Sequence, residues 1–183
     1  MLRSQEQRRV IKGIFTAAVL TLIAIGIIVS GRGVPIMSDH VDGQLSLWAA
    51  TSLLTAIPLL YCIGRLAKHR FFSPEDIIGS GFSDGTPKAK LLQAMLQNTL
   101  EQTLLASLSY AGWCFLAPAS WGAAPAVAVI LFLVGRFAFF AGYERGAAAR
   151  SFGFALTFYP SAAIIVVVAV VAARELVSTW LSP

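Results

Sequence analysis

The chain has 183 residues, of which 57% are hydrophobic and 13% charged, and its mean hydropathy is +0.74. A water-soluble domain of this size carries far more charge on its surface, so composition excludes one. The formal charge of +5 does not call for a nucleic-acid partner, because no nucleic-acid motif accompanies it and the basic residues fall where membrane topology puts them.

About 20 apolar residues cross a hydrocarbon core, and five such spans are predicted: Val10–Ser30, Leu45–Leu66, Leu91–Ala117, Ala123–Tyr143 and Phe154–Leu176. The fold class is therefore all-α, an integral membrane helical bundle. Arg8 and Arg9 before the first apolar run also fit a signal peptide. The run is long for one and no Ala-x-Ala site closes it, so a retained anchor is favoured; cleavage would leave four spans. Residues 1–44 are then an anchor and outer loop, and residues 45–183 the main membrane domain. In the outer segment Gly31–Gln44, His40 lies between Asp39 and Asp42; such exposed acids are usually solvated, and no metal site is expected.

In the second span Pro58 is read as a kink. Cys62, like Cys114 in the third, has no metal-ligand or CxxC spacing and is expected to pack as a small apolar side chain. In the basic loop Ala67–Ala89, Ser73-Pro74-Glu75-Asp76 predicts a helix start. Gly79-Ser80-Gly81 and Asp84-Gly85-Thr86-Pro87 predict turns without phosphate-loop spacing. This loop is expected to lie along the membrane as a flexible cover.

The third span carries Asn98, Glu101, Gln102 and Leu105 at i, i+3, i+4 and i+7, one helix face. A tight turn at Pro118–Gly122 makes spans three and four antiparallel neighbours, and the short Glu144–Ser151 joins spans four and five. Arg136, Tyr143 and Arg150 recur every seven residues and share a face if the helix continues. No internal repeat supports a transporter architecture.

Eleven of the fourteen Lys and Arg residues cluster before the first span, between spans two and three, and between spans four and five. The positive-inside rule makes those segments cytoplasmic and the C-terminus external. Trp48, Trp113, Trp121 and Trp180 fall near the outer ends of spans, where an indole suits the interface. This pattern suits a bacterial inner membrane.

Charge inside a bilayer is costly and marks function by default. At 1.5 Å per residue, Glu101 lies about 16 Å from Lys90 and Arg136 about 13 Å from Arg145. The similar depths predict a Glu101–Arg136 pair at a polar pocket opening to the cytosol. The competing reading is interhelical glue, worth only about 0.6–2 kcal/mol per polar contact.

The string Gly135-Arg136-Phe-Ala-Phe139-Phe-Ala-Gly142-Tyr143-Glu-Arg145-Gly-Ala-Ala-Ala-Arg150, with Asn98-Thr-Leu-Glu101-Gln102, resembles the MAPEG superfamily of membrane-associated proteins in eicosanoid and glutathione metabolism. The resemblance covers about Leu45–Leu176. It implies a four-helix protomer, here with an added N-terminal helix, assembled as a homotrimer, with glutathione as co-substrate between protomers near the cytoplasmic face. Asn98, Glu101, Gln102, Arg136 and Tyr143 match positions that contact the tripeptide, and Arg65 could meet one of its carboxylates. Arg150 matches the arginine beside the sulfur and is the implied catalytic residue; a solvated cation of positive-inside type is its alternative. The implied activity is a glutathione-dependent transferase or peroxidase acting on hydrophobic electrophiles or lipid hydroperoxides. Two positions depart from the pattern: Ala94 stands where the family commonly has an arginine, and Phe139 where the eicosanoid branch has a tyrosine. Each removes a polar contact. The alternative function is a non-catalytic membrane subunit that keeps the fold and binds a partner through its added span.

Overall fold

The computed structural model describes residues 5–32, 40–79, 82 and 84–181. Five long helices make up the chain: α1 (Gln5–Ile27), α2 (Val41–Phe72), α3 (Pro87–Leu116), α4 (Ala123–Gly142) and α5 (Ala147–Leu181). There is no strand among the described residues. The segments long and apolar enough to cross a membrane are Gln5–Ser30, Val41–Phe72, Ala119–Arg145 and Ala147–Trp180. This is an integral helical membrane bundle, the form in which a backbone satisfies its own hydrogen bonds in lipid. The expected third span departs from this set. α3 has the length, 30 residues, but Lys88, Lys90, Gln93, Gln97, Asn98, Glu101 and Gln102 make it too polar. It runs alongside α2 and packs on α4 and α5.

α2 and α3 run antiparallel. The ladder between them reads Trp48 Nε1 to Ser107 O (3.1 Å), Thr103 Oγ1 to Thr55 O (3.3 Å) and Arg70 Nη2 to Gln93 Oε1 (3.2 Å). α4 and α5 also run antiparallel, and glycines bring their backbones together. A Cβ at Gly135 would lie 2.8 Å from Thr157 Cγ2, one at Gly142 would strike the Ala149 carbonyl, and one at Gly153 the Phe139 amide. Without a hydrophobic drive between helices in lipid, such small-residue contacts supply the packing. They also set Arg136 opposite Thr157 and Tyr143 beside Arg150.

α1 runs parallel to α5. Gly13 abuts Ser151, Ala17 packs with Ala155 and Leu156, and Thr21 and Ile25 lie along Tyr159 and Val166. At the end opposite the clustered basic residues, Trp113 Nε1 donates to Trp121 O (3.0 Å) and their rings lie 5.9 Å apart. Trp113 is wholly buried, so it serves the core and not the interfacial belt expected of it. α5 holds an interior proline, Pro160, as α2 holds Pro58.

The α2–α3 loop corrects two expectations. Ser73-Pro74 opens a turn rather than a helix, and the helix starts at Thr86-Pro87, where Thr86 Oγ1 accepts from the Ala89 amide (3.2 Å). The loop is also pinned rather than a loose cover. The buried carboxylate of Asp76 accepts from Thr86 Oγ1 (2.6 Å), Thr86 N (2.8 Å) and Ser73 Oγ (2.9 Å) and pairs with His69 Nε2 (2.9 Å). Asp76 is thereby unavailable to cap a helix at Ser73. Of the expected Gly79-Ser80-Gly81 turn, residues 80 and 81 lie outside the described residues, as do residues 33–39 of the outer loop, Asp39 among them.

Hydrogen bonds from the Thr86 hydroxyl and amide hold the Asp76 carboxyl down to about 2. A lowered carboxyl contributes stability above its ordinary value, near 4, and loses it as pH falls toward the folded value. Pepsin cleavage within residues 73–86 is expected to accelerate between about pH 4 and pH 2, and Asp76→Asn to remove most of that dependence. A cleavage rate flat over this window, or equally steep in Asp76→Asn, would contradict the assignment.

Candidate functional site

Arg136 has no accessible surface and sits where α3, α4 and α5 meet. Nη1 donates to Asn98 Oδ1 (3.0 Å) and Thr99 Oγ1 (3.5 Å), and Nη2 donates to Thr157 Oγ1 (2.6 Å). A guanidinium only donates, so both threonine hydroxyls must accept from it and send their protons elsewhere. Thr99 donates to Met95 O (2.7 Å) and Thr157 to Phe154 O (2.7 Å). The Phe139 ring lies 4.3 Å from the guanidinium carbon and the Phe132 ring 5.9 Å away, presenting π-faces that attract a cation. Nε has no partner.

The expected Glu101–Arg136 pair does not form. Two ion pairs, His69–Asp76 and Lys88–Glu144, are present, and neither involves Glu101 or Arg136. Glu101 is exposed and accepts from Gln97 Nε2 (3.0 Å). Asn98 and Glu101 are about 60° apart around α3 at 100° per residue, and the helix turns Asn98, not Glu101, toward α4.

Asn98 links this buried node to a cavity of about 320 Å³, lined by Val10, Ile14, Asn98, Phe139, Tyr143, Ala147, Arg150, Ser151 and Phe154. Because the Asn98 carbonyl oxygen is committed to Arg136, its NH₂ end is the one left for the cavity. Tyr143 begins the short turn between α4 and α5, and Gly146 closes it at φ +96°, a left-handed conformation that favours glycine. The turn brings the Arg150 guanidinium 4.7 Å over the Tyr143 ring. Arg150 is half-buried, so its donors are directed yet accessible. Together these residues form a polar, cationic corner in an apolar hollow, suited to hold an anionic or polarisable group against apolar walls.

Of the residues singled out from sequence, Asn98, Tyr143 and Arg150 share this cavity. Arg136 lies behind it. Arg65, stacked 5.6 Å over Tyr61, lies with Arg136 along a separate groove of about 500 Å³ between α2 and α4, walled by Ile57, Leu133 and Phe140. Gln102 is buried, with Oε1 unpartnered. Ala94 faces a third hollow, beneath the loop, whose lining includes Arg70, Lys90 and Gln93. Phe139, lacking the tyrosine hydroxyl, lies against the Arg136 guanidinium and meets the Tyr143 ring edge to face (5.1 Å between centroids). Val10 and Ile14 were not legible as site residues, since the only signal they carry is that of an apolar span.

A family model described as "MAPEG family" matches residues 45–170, more than half of the chain. No curated protein and no solved structure matches it.

Hydrogen bonds to a charged group are worth about 1.5–3 kcal/mol. Asn98→Leu and Thr157→Val are each expected to lower the unfolding free energy by about that amount in denaturant titrations of the detergent-solubilised protein. A loss below about 0.5 kcal/mol in both would mean that the Arg136 node does not hold the helices together.

Proposed function

The chain belongs to the MAPEG family, and on that premise we propose that it is a glutathione-dependent membrane transferase acting on hydrophobic electrophiles, or a peroxidase reducing lipid hydroperoxides. The observation that carries this reading is the convergence of Asn98, Tyr143 and Arg150 on one cavity. Glutathione is the co-substrate. Asn98 holds its polar backbone through the NH₂ end of the amide, and Arg150 faces its sulfur.

The chemistry follows from the cation. A free thiol titrates near 8.5, and a neighbouring positive charge lowers that value by favouring the thiolate, the reactive form. Arginine suits the role because it stays protonated throughout the relevant range. In the transferase reaction the thiol proton passes to solvent and the thiolate attacks the electrophilic carbon, forming a C–S bond as the leaving group departs with its electron pair. Tyr143, stacked beneath the guanidinium, fixes where that charge sits. Arg136 acts at one remove, as a positioning residue behind Asn98.

The outward position of Glu101 supports a homo-oligomer, a trimer by family resemblance. An exposed carboxylate at this depth on α3 is costly against lipid, and a neighbouring copy covering that face would let Glu101 complete the tripeptide's contacts. The basic end of the bundle faces the cytosol by the positive-inside rule, which suits a bacterial inner membrane and a water-soluble co-substrate. The alternative is a non-catalytic subunit that recruits a partner through its added span; α1 packs one face on this chain's own α5, and Phe15, Leu22 and Ile23 on its other face are exposed.

Glutathione titration followed by ultraviolet thiolate absorbance tests the proposal. The wild type is expected to develop a saturable band. Arg150→Ala should lose it by about tenfold or more while Arg150→Lys keeps part of it. Glu101→Gln should weaken affinity. No band in the wild type, or an unchanged band in Arg150→Ala, would overturn the reading, the first of these in favour of the non-catalytic subunit.

A further inference from the structure

α1 lies wholly outside the family match, which begins at residue 45, yet it reaches the cavity that holds Arg150. Val10 and Ile14, one turn apart and so on one face, form an apolar side of that cavity together with Phe154 of α5. The contact is built rather than incidental. Gly13, between them, lets α1 approach so closely that a Cβ there would lie 2.5 Å from Ser151 Oγ and 3.0 Å from the Phe152 amide. Ser151 directly follows Arg150. Ile14 also packs against the cluster of Ala17, Ala155 and Leu156, which joins the wall to the helix that carries the cation.

We propose that α1 is part of the substrate site, and that Val10 and Ile14 set the size of the hydrophobic acceptor presented to Arg150. The inference rests on the glutathione reading above. At about 320 Å³ the cavity lies at the small end of ligand pockets, which run from about 300 to 1,000 Å³. Part of it must hold the thiol-bearing end of the tripeptide, so little width is left beside Val10 and Ile14, and the acceptor selected is one whose reacting end is a narrow apolar electrophile. Deleting methylenes from the wall should widen the class, and adding bulk should narrow it.

The test uses the full-length protein in detergent, glutathione, and two nitro-activated aryl chlorides, one with a single ring and one with fused rings. The reaction forms an aryl C–S bond and breaks C–Cl, with chloride carrying off the electron pair. The readout is the ratio of kcat/KM for the fused-ring over the single-ring acceptor, with thiolate absorbance measured in parallel. Ile14→Ala and Val10→Ala are expected to raise the ratio about tenfold, the order that a methylene or two is worth in an apolar pocket, and Ile14→Trp to lower it by a similar factor. Thiolate absorbance should stay within about twofold of wild type, since a wall that faces only the acceptor leaves the cation alone. Gly13→Val, which forces α1 away from Ser151, should shift the ratio in the same direction as the alanine variants. An unchanged ratio in all four variants, with the thiolate band intact, overturns this inference alone. Loss of the band in the wall variants also overturns it, because the wall would then be holding glutathione or the fold. Absence of the band in the wild type overturns the glutathione reading and this inference with it.

Discussion

The buried guanidinium of Arg136 is the constraint around which the rest of the bundle is arranged. A cation inside a membrane protein is tolerated only where fixed dipoles replace the water it has lost. Here that replacement comes from three helices: Asn98 and Thr99 on α3, the Phe132 and Phe139 faces on α4, and Thr157 on α5. None of these groups is charged. A counter-ion would satisfy the guanidinium more strongly but would also neutralise it, whereas oxygen dipoles and ring faces leave its field largely intact. That field, with that of Arg150, makes one side of the cavity attractive to an anion, and a thiolate is an anion.

The same node sets geometry. α4 and α5 approach at Gly135, Gly142 and Gly153 because nothing larger fits there. That approach lets Thr157 reach Arg136 and leaves only a short turn between Tyr143 and Arg150. Asn98 is then oriented twice: its carbonyl oxygen by Arg136, its remaining donors by exclusion. Packing, hydrogen bonding and site chemistry therefore depend on one another. A side chain that only filled space at position 136 would leave Asn98 free to turn.

Much of this was legible in the residues. The apolar runs read as helices in the right order, and a charged residue within a span pointed to Arg136, which the structure buries where three helices meet. The seven-residue spacing of Arg136, Tyr143 and Arg150 anticipated their shared end of the bundle, although the chain turns at Gly146 instead of continuing helically. The partner of Arg136 was misread. Depth along a helix places Glu101 and Asn98 within a turn of each other, and an argument from charge prefers the acid, but depth carries no information about rotation around the axis. The helix start in the loop failed for a related reason. Ser73-Pro74 and Thr86-Pro87 are equivalent as local signals, and a long-range contact decided between them, because Asp76 is taken up by Thr86 and His69. The approach of α1 to the cavity could not be read, since Val10 and Ile14 differ in no local property from the residues around them.

A double-mutant cycle between Arg136 and Asn98, read on glutathione affinity, tests the central claim most directly, because it separates a residue that contacts the ligand from one that acts through another. If Arg136 works by orienting Asn98, Arg136→Met should weaken binding about tenfold and Asn98→Ala by at least as much, while the double variant binds no more weakly than Asn98→Ala alone. Losses that multiply, so that the double variant is weaker than either single one by the full product, would contradict the account and make Arg136 an independent ligand for the tripeptide.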